Sequence, residues 1–339
     1  MRIIVTGGAG FIGTLLARRL LAGPVALGGA APAGVDELYL VDLTAPPADV
    51  AADPRVRPLS GDLPLLLGGS GSAHPVGDAD AIFHLAAVPS GGAEADFDLG
   101  MRTNLHGTLA VLERARRQAR PPVLVFSSTL AVFGADPAAG PPGPVGDDTL
   151  PTPQTSYGSQ KFAAEQFVAD YTRRGFVRGR SVRLMTVVVR PGKPNAAASG
   201  FMSGIIREPL AGVRAVCPVP DDTPVALSSP SRTLEGILRA AEASDADWGS
   251  RTAMNLPALT TTPREMAESV DRVAGRPVSE LIDWADDPVT GPIVRSWPAT
   301  VDAPRARALG LLPVESFDDI VREYLAGRGE QAPGSAACG

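Results

Sequence analysis

Tyr157-Gly158-Ser159-Gln160-Lys161 places a phenol and an ammonium four residues apart. On a helix this spacing puts both side chains on one face, about one turn apart. A free phenol ionises near pH ~10, too high for an effective base at neutrality. A fixed positive charge beside it stabilises the phenolate and lowers that value. Such a pair can take a proton from an alcohol. Tyr and Lys share this spacing on many ordinary helix surfaces, so the pair means catalysis only if other elements bring it a cofactor and a third group.

The chain begins with an apolar, β-branched run, Arg2-Ile3-Ile4-Val5-Thr6, that ends in Gly7-Gly8-Ala9-Gly10-Phe11-Ile12-Gly13. A helical pattern follows through Leu15, Leu16, Leu20 and Leu21. Strand, glycine turn and helix in this order suit a dinucleotide pyrophosphate. Gly7, Gly10 and Gly13 allow close approach, and the helix start at Phe11 and Ile12 offers free N–H groups at the positive end of its dipole. After a Gly/Ala/Pro-rich loop, a second strand, Glu37 to Asp42, ends in an acid. An acid there binds the adenosine ribose hydroxyls and repels a 2′-phosphate. No arginine follows closely to reverse that preference, so Asp42 selects NAD over NADP.

The same alternation continues. A strand over 56–59 ends at Gly61-Asp62-Leu63, and residues 68–77 form a glycine-rich loop. A strand over 81–84 is followed by Leu85-Ala86-Ala87, small enough to leave room for a cofactor. A long helix over 96–117 carries Asn104-Leu105-His106-Gly107-Thr108, and a fifth strand over 123–126 ends in Ser127-Ser128-Thr129. Repeated strand–helix units predict a doubly wound α/β fold of the Rossmann type, a parallel sheet with helices on both faces. Ligands bind beyond the carboxyl ends of such strands, where Gly7, Asp42, Leu85 and Thr129 all fall. A Pro/Gly/Asp-rich loop over 134–156 delivers the chain to Tyr157, whose helix runs to about Arg174. A sixth strand over 181–189 closes at Arg190-Pro191-Gly192. Residues 1–190 thus read as a nucleotide-binding domain. Residues 191–326, with helices over 199–211, 233–243 and 263–274, read as mainly a smaller substrate-binding lobe. Residues 327–339 read as a flexible tail.

Bulk properties fit this. A hydrophobic content of 44% with 20% charge suits a folded globular chain, and a net charge of −6 weighs against nucleic acid as a partner. Two cysteines, Cys217 and Cys338, make neither a disulfide framework nor a cysteine-rich metal site. His74, His84 and His106 lack zinc-ligand spacing, so no metal is expected. No apolar run is long enough for a membrane span, and the N-terminus runs straight into a strand. A cytoplasmic protein is the simplest reading.

The motifs Thr6-Gly7-Gly8-Ala9-Gly10-Phe11-Ile12-Gly13, Asp62, His84-Leu85-Ala86-Ala87, Asn104-x-x-Gly107-Thr108, Ser127-Ser128-Thr129 and Tyr157-x-x-x-Lys161 resemble, in order, the extended short-chain dehydrogenase/reductases, the NAD-dependent epimerase/dehydratase family. The resemblance implies NAD as cofactor, a Tyr-Lys-Ser/Thr catalytic group and a homodimer. It implies that Asp62 and Leu63 lie near the adenine, that Leu85-Ala86-Ala87 and Asn104 lie along the cofactor, and that Lys161 reaches the nicotinamide ribose. It assigns the third catalytic group to Thr129, four residues before Phe133, with Ser128 as rival.

Many members act on nucleotide sugars and carry Arg-x-x-Asn after the sixth strand. This chain has Arg183-Leu184-Met185-Thr186, and Ala226 to Thr233 also departs from the family's substrate-lobe motif. Residues 190–201, 206–212 and 127–134 instead resemble a subgroup that oxidises the C2 hydroxyl of a four-carbon sugar acid with NAD. A small sugar-acid dehydrogenase is the first expectation, a nucleotide-sugar epimerase or dehydratase the second, and a non-catalytic NAD-binding protein the third. A sugar acid needs a cation for its carboxylate, and arginine's planar fork matches two oxygens. Arg190, Arg207 and Arg232 are the candidates, although Arg207 beside Glu208 can equally be a structural ion pair. Asn195 and Ser199 are candidates for binding substrate hydroxyls.

Overall fold

The computed structural model describes residues 1–67, 76–135, 142–192 and 197–331. The loop over 68–75, His74, residues 136–141, Asn195 and residues 332–339 lie outside the described residues. The first six strands are β1 (Arg2–Thr6), β2 (Glu37–Asp42), β3 (Val56–Ser60), β4 (Ala81–His84), β5 (Val123–Thr129) and β6 (Arg178–Leu184). Later in the chain come β7 (Thr186–Val187), β8 (Ala215–Cys217), β9 (Val225–Ser228), β10 (Met254–Asn255), β11 (Leu259–Thr261) and β12 (Ile282–Trp284). One seven-stranded sheet has the order β3-β2-β1-β4-β5-β6-β10, and every pairing in it is parallel. This is the doubly wound fold expected, and its order reverses between β1 and β4, where such sheets open a ligand crevice.

The strands read as near-continuous apolar runs because both faces are covered. Ile3, Val5, Leu40, Phe83 and Val125 pack on one side with Leu16 and Leu20 of the helix Phe11–Ala22 and Ile237 of the helix Pro230–Glu242. Ile4, Val41, Ile82, Leu124 and Phe126 pack on the other side with Val111, Leu112, Ala164 and Val168. A second core gathers Met202, Ile205, Cys217, Leu227, Met266 and Ile320 around β8, β9 and β12. A small cluster of Leu130, Val132, Phe133, Met185 and Ala226 joins the two beyond β5.

Several elements differ from expectation for local reasons. The helix read over 96–117 is α-helical over Phe97–Gly100, π-helical over Met101–His106 and α-helical again over Gly107–Arg116. At the wide turn Asn104 is fully buried and bonded to Val88 and Gln160, a use of a π-helix that spacing alone does not show. β5 runs on to Thr129, three residues beyond the strand read over 123–126. The sixth strand ends at Leu184. After Met185, β7 joins β9 in a separate three-stranded sheet. The division at residue 190 is not clean, because Pro230–Glu242 and β10 return to the main sheet. The tail does not start at Gly327, since the helix from Phe317 continues to Gln331. No helix among the described residues is long and apolar enough to cross a membrane.

The helix Ser156–Arg173 crosses the end of β5 at Gly158, where a Cβ would lie 2.1 Å from the Ala131 carbonyl oxygen. Gly158→Ala must therefore push the start of this helix off the Leu130–Val132 turn. The expected cost is about 2 kcal/mol in urea unfolding, with a loss of turnover because Tyr157 moves too.

Candidate active site

The helix bearing the Tyr-Lys pair starts where the sequence allows it. Thr155 caps it, its hydroxyl accepting from the Gly158 amide at 3.1 Å, and Glu94 accepts from the Ser156 amide at 2.9 Å. Lys161 is 1% exposed. Its ammonium donates to the Ser127 carbonyl at 2.8 Å and lies 4.6 Å from the centre of the Phe126 ring and 5.9 Å from that of Tyr157. Burial lowers the lysine to about 7, and the Glu165 carboxylate opposes that fall. Burial also pushes the Tyr157 phenol up to about 12, opposed by a hydrogen bond with the Thr129 hydroxyl and by the charge of Arg190. Arg190 is thus a second cation near the phenol, beside the Lys161 that the sequence pattern pointed to.

The two rival hydroxyls part company. Thr129 meets the phenol and also accepts from the Ala131 amide at 3.2 Å. Ser128 is buried and donates to Glu165 at 2.5 Å, and Glu165 is held by both the Nε and Nη2 of Arg183 at 2.9 and 2.8 Å. His84 is fully buried between the Thr6 and Thr108 hydroxyls at 2.6 and 2.9 Å. Burial and the nearby Lys161 charge drop it to about 3, so it stays neutral.

A cavity of about 340 Å³ runs from the glycine turn to this group and is lined by Gly7, Gly10, Phe11, Ile12, Gly13, Leu85, Ala87, Ser127 to Ala131, Tyr157 and Lys161. The residues present fit NAD. Gly7 has φ +71°, and a Cβ there would lie 2.8 Å from the Ala86 amide nitrogen. A Cβ on Gly13 would lie 2.0 Å from the Gly7 oxygen. The helix behind the turn starts at Gly10 with no side-chain cap and no acid in its first turn, which suits a phosphate. Asp42 is fixed across the turn, accepting from the amides of Ala9 and Leu43 at 3.0 and 2.7 Å. Asp62 stands beside Arg102 at 3.6 Å, and its buried Oδ1 has no partner among the described residues, which matches an adenine amino group. Leu63 and Ala86 pack behind this end of the sheet. Asn104 does not line the cavity. It supports the Val88 backbone behind it, accepting from the amide at 2.8 Å and donating to the carbonyl at 3.1 Å.

On the opposite side the cavity is lined by Met185, Thr186, Arg190, Ser199 and Trp297. Arg190 donates to the Ser199 hydroxyl at 3.1 Å. Arg207 faces the Arg190 backbone, donating to its carbonyl at 2.7 Å, and pairs with Glu208 at 2.5 Å, which is its structural reading. Arg232 is an exposed partner of Glu235 at 2.8 Å and does not reach the cavity. Trp297, Met185 and the Glu165–Arg183 pair escaped the sequence reading. Glu165 had a readable signal, one further turn along the line through Tyr157 and Lys161. Trp297 had none, because only the fold brings it to β5.

Replacing Asp42 with Ser removes the carboxylate that faces a 2′-phosphate. NAD binding should weaken about tenfold and the NAD-over-NADP preference should narrow, as measured by titration of each dinucleotide.

Comparison with known proteins fits this geometry. Residues 70–223 match the NAD dependent epimerase/dehydratase family. The chain is 46% identical to D-erythronate dehydrogenase of Cupriavidus necator, over 96% of this chain and 98% of that protein. It is 38% identical to D-erythronate dehydrogenase of Haemophilus influenzae, over 96% and 99%. Its fold is similar to the crystal structure of the nucleoside-diphosphate-sugar epimerase from Agrobacterium tumefaciens, with a TM-score of 0.85 and 36% identity over 97% of this chain and 95% of that one. A near-full-length relationship at this identity, on a fold built for NAD, places the chain in the NAD-dependent epimerase/dehydratase family of extended short-chain dehydrogenase/reductases.

Proposed function

We propose that the enzyme oxidises the C2 hydroxyl of a small sugar acid, D-erythronate, to 2-oxo-tetronate. The observation that carries this is Arg190. It lines the same cavity as Tyr157 and Thr129, acts on the phenol, and is paired with no carboxylate among the described residues. A substrate carboxylate on this guanidinium sets the adjacent carbon, C2, at the phenol. The two relatives named D-erythronate dehydrogenase support the same choice.

Bound NAD supplies the hydride acceptor. The chain's residues handle the proton and the position. Thr129 orients the reacting oxygen, and Tyr157 receives the hydroxyl proton as C2 loses its hydride and becomes a carbonyl. Lys161 adds positive charge beneath the phenol ring, and Ser199 steadies Arg190. Ser128 tethers Glu165 and is not the hydroxyl that meets the substrate. Gly7, Gly10 and Gly13 receive the pyrophosphate, Asp42 the adenosine ribose and Asp62 the adenine.

Because burial raises the phenol, its base form is scarce at neutrality, so oxidation should accelerate as pH rises above 7. The decisive measurement is NADH absorbance across four- to six-carbon sugar acids. Tyr157→Phe should lose about a hundredfold or more in kcat. Arg190→Gln should lose about ten- to a hundredfold in kcat/KM for the acid while KM for NAD holds. No turnover across the panel sinks the reading. Turnover of a nucleotide sugar without net NADH would establish the alternative, an epimerase, which the likeness to the Agrobacterium epimerase structure favours.

The working form in this reading is a cytoplasmic homodimer, in keeping with a soluble nucleotide as cofactor. The neighbouring helices Phe97–Gly100 and Ser156–Arg173 leave Phe97 and Phe167 59% and 40% exposed, apolar surface that a second copy would cover. Sedimentation should give twice the 34.9 kDa chain mass, and Phe167→Glu should shift it toward monomer.

A further inference from the structure

Tyr157, Lys161 and Glu165 form one line on their helix, each a turn from the next. Glu165 is 2% exposed and fully spent, on Arg183 from β6 and on Ser128 from β5. Lys161 is tied to Ser127, the residue next to Ser128. Two consecutive residues of β5 therefore hold the ammonium and the carboxylate of the same helix, with Thr129 next in line. Around Lys161 the remaining groups are the Tyr157 phenol on its own helix, the Phe126 ring on β5, the neutral His84 on β4 and Arg183 on β6, while Arg190 faces Tyr157.

We propose that Glu165, clamped by Arg183 and Ser128, is a positioning residue that keeps Lys161 protonated and fixes the end of β5 against the Tyr157 helix. This rests on the catalytic reading of Tyr157 and Lys161 given above. Without a negative neighbour a buried ammonium gives up its proton more readily. Of the charges present, Glu165 is the one that raises the lysine against the effect of burial. Loss of its charge would also leave the Arg183 cation uncompensated, which pushes Lys161 in the same direction.

The chain's composition makes a direct test simple. Of its 31 Lys and Arg residues only Lys161 and Lys193 are lysines. Carbon-13 labelling at the lysine Cε gives two NMR signals, and Lys193→Arg assigns them. In the full chain without substrate, Glu165→Gln should move the Lys161 midpoint acidward by about one pH unit and leave Lys193 in place. With a substrate established by the panel above, kcat at neutral pH should fall about tenfold while KM for NAD and for the acid stays within about twofold. If Glu165→Gln does not fold, the double change Glu165→Met and Arg183→Met replaces the pair by apolar groups of similar length and should still shift the midpoint acidward, by less because the Arg183 cation is removed as well. A Lys161 midpoint within about 0.2 unit of wild type, in whichever variant folds, overturns the proposal. The NMR readout needs no substrate, so failure of the sugar-acid reading leaves this test intact.

Discussion

A lysine ammonium buried at the end of β5 is the constraint on which the rest of the site depends. An ion removed from water must be held by hydrogen bonds and compensating charge, or it surrenders its proton. Lys161 is held by the Ser127 carbonyl, rests over the Phe126 ring and has Glu165 one turn away. Each of these comes from the crossing of β5 with the helix Ser156–Arg173. That crossing is close because Gly158 lets the helix backbone approach the Ala131 carbonyl. Fixing the lysine therefore fixes the phenol a turn before it and the threonine hydroxyl facing it.

The substrate side is built by a different kind of support. Arg190 follows the short β7 and is tethered along its length. Ser203 accepts from its amide at 3.0 Å, Arg207 donates to its carbonyl, and Ser199 accepts from its side chain. Ser203 and Arg207 both lie on the helix Gly200–Leu210, whose buried face belongs to the second core. A cation presented by one core thus meets the phenol and hydroxyl presented by the other. The two sides are separately supported yet share a single cavity.

The fold was legible wherever a local period carried it. The strand–turn–helix at the N-terminus, the acid ending β2 and the 3.6-residue repeat after Tyr157 all depend on neighbours in sequence. The helix start after Thr262 was readable for the same reason, since a cap acts within a few residues and Thr262 and Glu265 form a full capping box, whereas the helix read from 233 begins at Pro230, behind the cap Ser229. What stayed hidden was the exchange between segments: the π-helical turn at Asn104, and the return of β10 to the main sheet from residue 254. A π-turn is decided by the partners of Asn104, and a two-residue strand has no period to read.

By itself the sequence determined that this chain presents a glycine turn, an acid at the end of β2 and a phenol–ammonium pair at one end of a parallel sheet. Strand order, glycine spacing and helical period follow from the backbone's few allowed conformations. Only the tertiary structure decided which of two adjacent hydroxyls meets the phenol and which of three arginines faces the cavity. Ser128 is claimed by Glu165, 37 residues away, Arg207 by its neighbour Glu208 and the Arg190 backbone, and Arg232 by Glu235 on the surface. Thr129 and Arg190 are left to the cavity. Side chains of the same type are equivalent in sequence, and they become distinct once packing has assigned their hydrogen-bond partners.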